Sequence, residues 1–315
     1  VPVQQSVAGA AVGTWSSWHL HVQTSGGQAL DDILRAVVAP VVTDLPVDPP
    51  PVGSARPWFF LRYWQYGPHL RLRIADLDAE QSASLSSALS TAMVAAVAEL
   101  DEAQRMDQDD YARIVAGIAR TGEAGQSMAV GALEPAGVLA RDYEPELERY
   151  GGPELLPLSE ELFHSASVAA LQACLRRPGY ARHLGDGLEA MAATVSAWPG
   201  DRRQLLQGTR DGWSAFMRGA GVGNVAGIEE FATAKAAALS GVADQFEAIS
   251  RGAPTRWSAW TGRLSSACEV WLTDLGWDRA AGVFASHLHM MQNRLGVAAG
   301  REAFLAATLL KILSV

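Results

Sequence analysis

With 315 residues, 49% of them apolar and 19% charged, and a formal net charge of -9, the chain can fill one large core or two moderate lobes. That composition excludes a disordered chain, and the negative balance excludes a broad nucleic-acid footprint. Clustered arginines against such a background are expected to be sites, not part of a general polyanion surface.

Residues 1–14 are small, apolar and uncharged, and they lack the basic start and hydrophobic run of a signal peptide. They are expected to form a loose arm. Trp18-His19-Leu20-His21-Val22-Gln23 alternates and is β-prone, which predicts a strand. A helix is expected over 29–39, opened by Asp31 and Asp32 and stopped by Pro40, followed by a Pro/Gly/Asp-rich loop over 43–57. The aromatic run Pro57 to Trp64 reads as a central strand, and a Tyr66-Gly67-Pro68 turn leads into the strand His69 to Ile74. This is a β-hairpin with Arg62 on one strand and Arg71 and Arg73 on the other. A helix over 80–102 follows, then shorter elements over 111–120 and 138–146.

Beyond Pro157 the pattern is helical over 159–176, 180–198, 201–218, 226–251, 256–274, 277–294 and 300–313, with breaks at Pro178, Pro199-Gly200, Gly219 to Gly223, Gly252 to Pro254, Gly276 and Gly296 to Gly300. The tail from Phe304 to Val315 is too short to span a bilayer and carries Lys311. The expected class is α+β: an N-terminal mixed or antiparallel sheet with flanking helices, and a C-terminal, mostly helical layer. The sheet-rich half (15–156) and the helical half (157–315) are assigned to one domain, because the candidate site draws on both.

Arg71 and Arg73 are two apart, so on a strand they share one face while Leu70, Leu72 and Ile74 take the other. Two guanidinium groups side by side repel unless an anion bridges them; the alternative is a solvated face with partners such as Asp76 or Asp78. Glu146 and Arg149 can pair on a helical turn but point apart on a strand, and Gly151-Gly152-Pro153 permits a tight turn after them. A plain surface ion pair is the alternative there. In the penultimate helix Phe284, Leu288, Met291 and Leu295 form a core stripe; His289 borders it and shares a face with Asn293, and His287 lies on the other side. A border histidine is more often structural than catalytic.

Neither His19 with His21 nor His287 with His289 has a cysteine or carboxylate completing a zinc pattern, so no metal is expected. There is no phosphate loop or dinucleotide fingerprint, hence no cofactor; the Gly219 to Gly223 stretch reads as a helix terminator. Cys174 and Cys268 have no ligand-type spacing and read as buried free thiols of a cytoplasmic protein.

Four stretches carry a resemblance. They are Arg62-Tyr63 with His69-Leu70-Arg71-Leu72-Arg73; Tyr143-Glu144-Pro145-Glu146-Leu147-Glu148-Arg149-Tyr150-Gly151-Gly152; Ser159-Glu160-Glu161-Leu162-Phe163-His164-Ser165-Ala166-Ser167; and His289-Met290 with Asn293-Arg294-Leu295-Gly296. In this order they resemble the elimination domain of class I lantibiotic dehydratases, also called the thiopeptide-type bacteriocin biosynthesis domain, from roughly residue 15 to the C-terminus. The resemblance implies a lyase. In that family glutamate is first attached from glutamyl-tRNA to Ser or Thr of a precursor peptide, and this domain removes it, leaving dehydroalanine or dehydrobutyrine.

The 315 residues hold no glutamylation region, so the resemblance implies an elimination subunit of a split dehydratase. Its expected partners are a ribosomally made precursor peptide and a separate tRNA-dependent glutamylation subunit, in the cytoplasm, with no direct nucleic-acid or membrane contact. The helical half leaves surface for a homodimer. By matching motif positions, the resemblance assigns catalysis to His289, Arg71 and Arg149, and substrate binding to Arg73, Glu146, Arg62 and Asn293. The departing glutamate carboxylate is a weak base, so removing the peptide Cα proton is the harder step, and a histidine is suited to it.

The same superfamily includes thiopeptide pyridine synthases, which join two dehydroalanines in a formal 4+2 cycloaddition and release the leader peptide. Retention of the charged set favours elimination over that alternative, and over a non-catalytic scaffold.

Overall fold

Tyr66 and Gly67 adopt left-handed backbone (φ 64 and 101) and reverse the chain between two strands, β2 (Trp58–Tyr63) and β3 (His69–Ala75). In this computed structural model they join β1 (Trp15–His21) and β4 (Gly137–Ala140) in one antiparallel sheet, order β2-β3-β1-β4. The described residues are 14–24, 27–45, 56–101, 104–121, 131–176, 182–221, 227–236 and 253–312, with a few positions between 244 and 251. The expected N-terminal arm lies almost wholly outside them, as do most of the 43–57 loop and the breaks at Pro178 and Gly252.

Strand alternation divides the sheet into two unlike faces. Trp18, Leu20, Phe60, Leu70, Leu72 and Ile74 share one face and are buried. That face packs on helix α1 (29–43) and on α2 (Ala79–Ala98), which contributes Leu89 and Met93. α2 starts at a capping box: Asp78 accepts from Gln81 N at 2.8 Å, and Gln81 Oε1 accepts from Asp78 N at 3.2 Å. α1 runs past Pro40, contrary to the expected stop. It comprises Ala29–Ile33, a π-helical turn Leu34–Val38, and Ala39–Thr43 with Pro40 in the first turn of that last segment. A proline is tolerated there because its missing N–H is not required.

The rest is helical: α3 (Gln108–Thr121), α4 (Leu156–Arg176), α5 (Arg182–Ser196), α6 (Arg202–Ala220), α7 (Gly227–Ala236), α8 (Ser258–Leu295) and α9 (Ala299–Ile312). α6 is capped by Asp201 and ends at Gly221 in the left-handed region. α8 is kinked at Gly276 (φ 73, ψ 172), where the sequence places a break. Sheet and helices share one apolar core, in which Trp18, Phe60 and Leu72 belong to the same cluster as Leu264, Leu288 and Leu305. Cys174 and Cys268 are buried thiols that form no disulfide with each other. Among the described residues no helix is long and apolar enough to cross a membrane.

An open strand edge needs cover, and here α4 and α8 cover β2. Phe60 N donates to Ser167 Oγ (3.1 Å), and Arg62 N donates to Asn293 Oδ1 (2.9 Å) while Asn293 Nδ2 donates back to Arg62 O (2.8 Å). His164 Nδ1 lies within hydrogen-bond reach of both N and O of Trp58. His164 and Ser167 of the Ser159 to Ser167 motif therefore cap the strand edge.

Candidate active site

The second face of the sheet carries Arg71 and Arg73, flanked across the hairpin by Leu61 and Phe59. With the segment 143–150, α6, α8 and α9, it encloses a cavity of about 1720 Å³. Its walls include Arg71, Arg73, Glu146, Arg149, His289, Arg62 and Asn293, so every residue singled out from the sequence reaches one space. The volume exceeds the roughly 300–1,000 Å³ of small-molecule pockets and suits a peptide.

Arg73 is 5% exposed and lies over the Tyr143 ring (4.5 Å) and the Phe59 ring (5.3 Å). Its Nε is buried with no hydrogen-bond partner among the described residues. Burial, and secondarily Arg71, lower its pKa to about 10, opposed by Tyr143, Glu146 and Glu160. Tyr143 is held in place by a hydrogen bond to Glu160, and burial pushes the ionisation of both groups upward. Arg71 stacks on Tyr63 at 3.5 Å, and its Nε donates to His69 Nε2 at 3.2 Å.

Glu146 and Arg149 pair at 2.8 Å as the i, i+3 spacing allows, because Glu148–Tyr150 is a single 3-10 turn. Gly151 and Gly152, at φ 90 and 104, then turn the chain away. Arg149 Nη2 lies 4.0 Å from the sulfur of Met290, beside His289. His289 faces Trp213, ring centres 4.5 Å apart, and its Nδ1 lies 2.9 Å from Oε2 of fully buried Glu302. Against a carboxylate, Nδ1 is the donor, which leaves Nε2 with the lone pair. The other Glu302 oxygen, Oε1, has no hydrogen-bond partner among the described residues.

Two expected substrate contacts are spent elsewhere. Arg62 lies on the opposite face of β2 from the residues flanking Arg71 and Arg73. Its Nη2 meets buried Asp31 at 2.6 Å, its Nε donates to Arg294 O at 3.0 Å, and Asp31 in turn holds His183 at 2.8 Å. Asn293 spends both ends of its amide on the Arg62 backbone. Gly296 follows because the helix end is left-handed there (φ 80) and an added Cβ would lie 2.9 Å from the His183 ring. Arg294 points inward to Ser167 and Met290 O, with burial lowering its pKa to about 9. His287 is likewise internal.

Glu302, Trp213 and Tyr143 carry no site role in the sequence reading, although Tyr143 opens the second motif and Glu302 is a lone carboxylate in the apolar stretch of α9.

A family model described as lantibiotic biosynthesis dehydratase C-term matches residues 15–313. The chain belongs to that family. The family is named for the dehydratases of lantibiotic biosynthesis. Among solved structures, the pyridine synthase TbtD from thiomuracin biosynthesis superimposes with TM-score 0.72 at 15% identity, covering 96% of this chain and 98% of that one. TsrL gives 0.59 at 16% identity, covering 96% and 95%. The tRNA-dependent lantibiotic dehydratase MibB from Microbispora sp. 107891 gives 0.53 at 22% identity, and the match covers 98% of this chain but 29% of MibB. These likenesses are of fold. No curated protein matches.

Proposed function

We propose that this family member catalyses glutamate elimination from glutamylated Ser or Thr of a precursor peptide. The observation that carries the reading is the convergence of Arg71, Arg73, Arg149, Glu146 and His289 on one peptide-sized cavity, with a donor nitrogen of buried Arg73 unused.

A glutamyl ester brings a carboxylate and an ammonium. Arg73 grips the carboxylate, and Glu146 faces the ammonium. Nε2 of His289 takes the Cα proton of the esterified residue, and the electron pair passes into the Cα–Cβ bond as the Cβ–O bond breaks. Glutamate leaves as a carboxylate and the proton stays on the imidazole. Arg71 and Arg149 donate to the oxygens on which charge develops.

Cycloaddition is the second reading, favoured by the near-complete mutual coverage with the thiomuracin pyridine synthase. One experiment separates them. The protein is incubated with a glutamylated precursor and, separately, with a bis-dehydroalanine precursor, and both are followed by mass spectrometry. Glutamate loss from the first is expected. Cyclisation with leader release from the second establishes the alternative, and inertness toward both, with stable binding to a dehydratase partner, establishes a scaffold.

A further inference from the structure

Three imidazoles meet on the arginine face of the sheet. His19 and His21 are two apart on β1 and so share that face, and strand pairing sets His69 of β3 directly opposite His21. The sequence shows only the first two; the third comes from a strand some fifty residues on and is supplied by register. One ring nitrogen from each of the three lies within 4.8 Å of the others.

The tautomers favour a ligand set. His69 Nδ1 lies 2.8 Å from the Gly67 carbonyl, which makes Nδ1 the donor and leaves Nε2 with the lone pair. A backbone carbonyl on the far nitrogen is the arrangement that orients metal-binding histidines. His21 is 2% exposed and hydrogen-bonds the Tyr66 backbone, yet its Nδ1 is buried without a partner. By elimination, Nε2 serves Tyr66 and Nδ1 carries an unused lone pair.

We propose that His19, His21 and His69 form a binding site for one transition-metal dication of the zinc class. Two histidines at i, i+2 on one strand and a third across the ladder give three ligands and leave a fourth position open. Zinc–nitrogen bonds of about 2.0–2.1 Å require nitrogens about 3.4 Å apart in a tetrahedral site. The rings, now stacked at 4.8 Å (His19 on His69) and 4.3 Å (His21 on His69), therefore splay inward by side-chain rotation. The ion takes the His69 Nε2 lone pair that Arg71 Nε now uses, so metal and Arg71 compete for one nitrogen. With Arg71 and Arg73 near by, the open position suits an anion.

The test uses the full chain stripped with EDTA and titrated with Co²⁺, then Zn²⁺. Expected are one Co²⁺ per chain with the visible bands of a low-coordinate histidine site, displaced by Zn²⁺. His19→Ala and His69→Gln should each weaken binding by roughly 100-fold or more, Arg71→Gln should tighten it, and His289→Ala should leave it unchanged. Circular dichroism verifies folding of each variant, and His19→Ala, at the least buried of the three, keeps the test open if His69→Gln does not fold. Absence of stoichiometric binding, or binding that survives His19→Ala in folded protein, or binding lost with His289→Ala, overturns the proposal.

Discussion

Glu302 accepts a hydrogen bond from His289 Nδ1 at 2.9 Å from a position with no solvent exposure, so the carboxylate fixes which imidazole nitrogen is left for chemistry. Glu302→Gln presents either an amide oxygen or an NH2 group to Nδ1 and loosens that choice of tautomer. On glutamylated peptide, kcat should fall by about 10²-fold or more, with KM little changed and partial rescue by Glu302→Asp. Steady-state kinetics decide it: a purely structural Glu302 would lower Tm and enzyme yield while sparing kcat per folded molecule.

Arg73 combines a buried charge with an unused donor. Keeping a depressed-pKa guanidinium charged at neutral pH costs the fold stability, and an anionic substrate offsets that cost. Arg73→Met should therefore leave Tm unchanged or raise it, while raising KM for the glutamylated peptide by about 10²-fold, near 2.7 kcal/mol. Arg73→Lys retains charge but not the planar fork and should fall between. Calorimetry beside kinetics checks this; a lowered Tm with unaltered KM would assign Arg73 to the core.

How much of this was legible in the sequence depends on the range of the interaction. Period-2 alternation through Leu70, Leu72 and Ile74 gives the hairpin faces, and glycines at 221, 276 and 296 mark helix ends or a kink because each has positive φ. β4 spans only the front of the short element expected over 138–146, because Gly137–Ala140 carries little alternation and is fixed by pairing with β1. Side-chain destinations were the harder part. Arg62 falls in the same hairpin as Arg71 and Arg73, but its guanidinium turns to Asp31 on α1, a partner set by packing across the sheet. Glu302 meets His289 only because α9 folds back along α6 and α7, which no local spacing encodes.

Asn293 joins α8 to the β2 edge by two hydrogen bonds to one residue. Asn293→Ala leaves the Arg62 N–H and C=O without those partners. It should cost about 1–3 kcal/mol of stability, read as a lower urea midpoint with unchanged m-value, while peptide KM in the folded fraction moves less than twofold. A large KM effect at undiminished stability would return Asn293 to the substrate.

His287 lies under the site, 1% exposed, stacked on Trp271 at 5.1 Å and 3.2 Å from Ser159 Oγ. Burial, then Arg294 and Arg149, hold its pKa well below the ordinary 6.5. Below that value the unfolded chain binds a proton at this ring and the folded chain does not. Stability from the neutral ring is thus present above pH 6.5 and lost as pH falls, by about 1.4 kcal/mol per pH unit for this one proton. His164, also lowered by burial, acts in the same direction. Urea unfolding at pH 7, 6 and 5 should show this acid loss. His287→Phe, whatever its cost at pH 7, should show a pH slope shallower by one proton's worth; an identical slope in the two proteins would mean that the ring takes up its proton inside the fold.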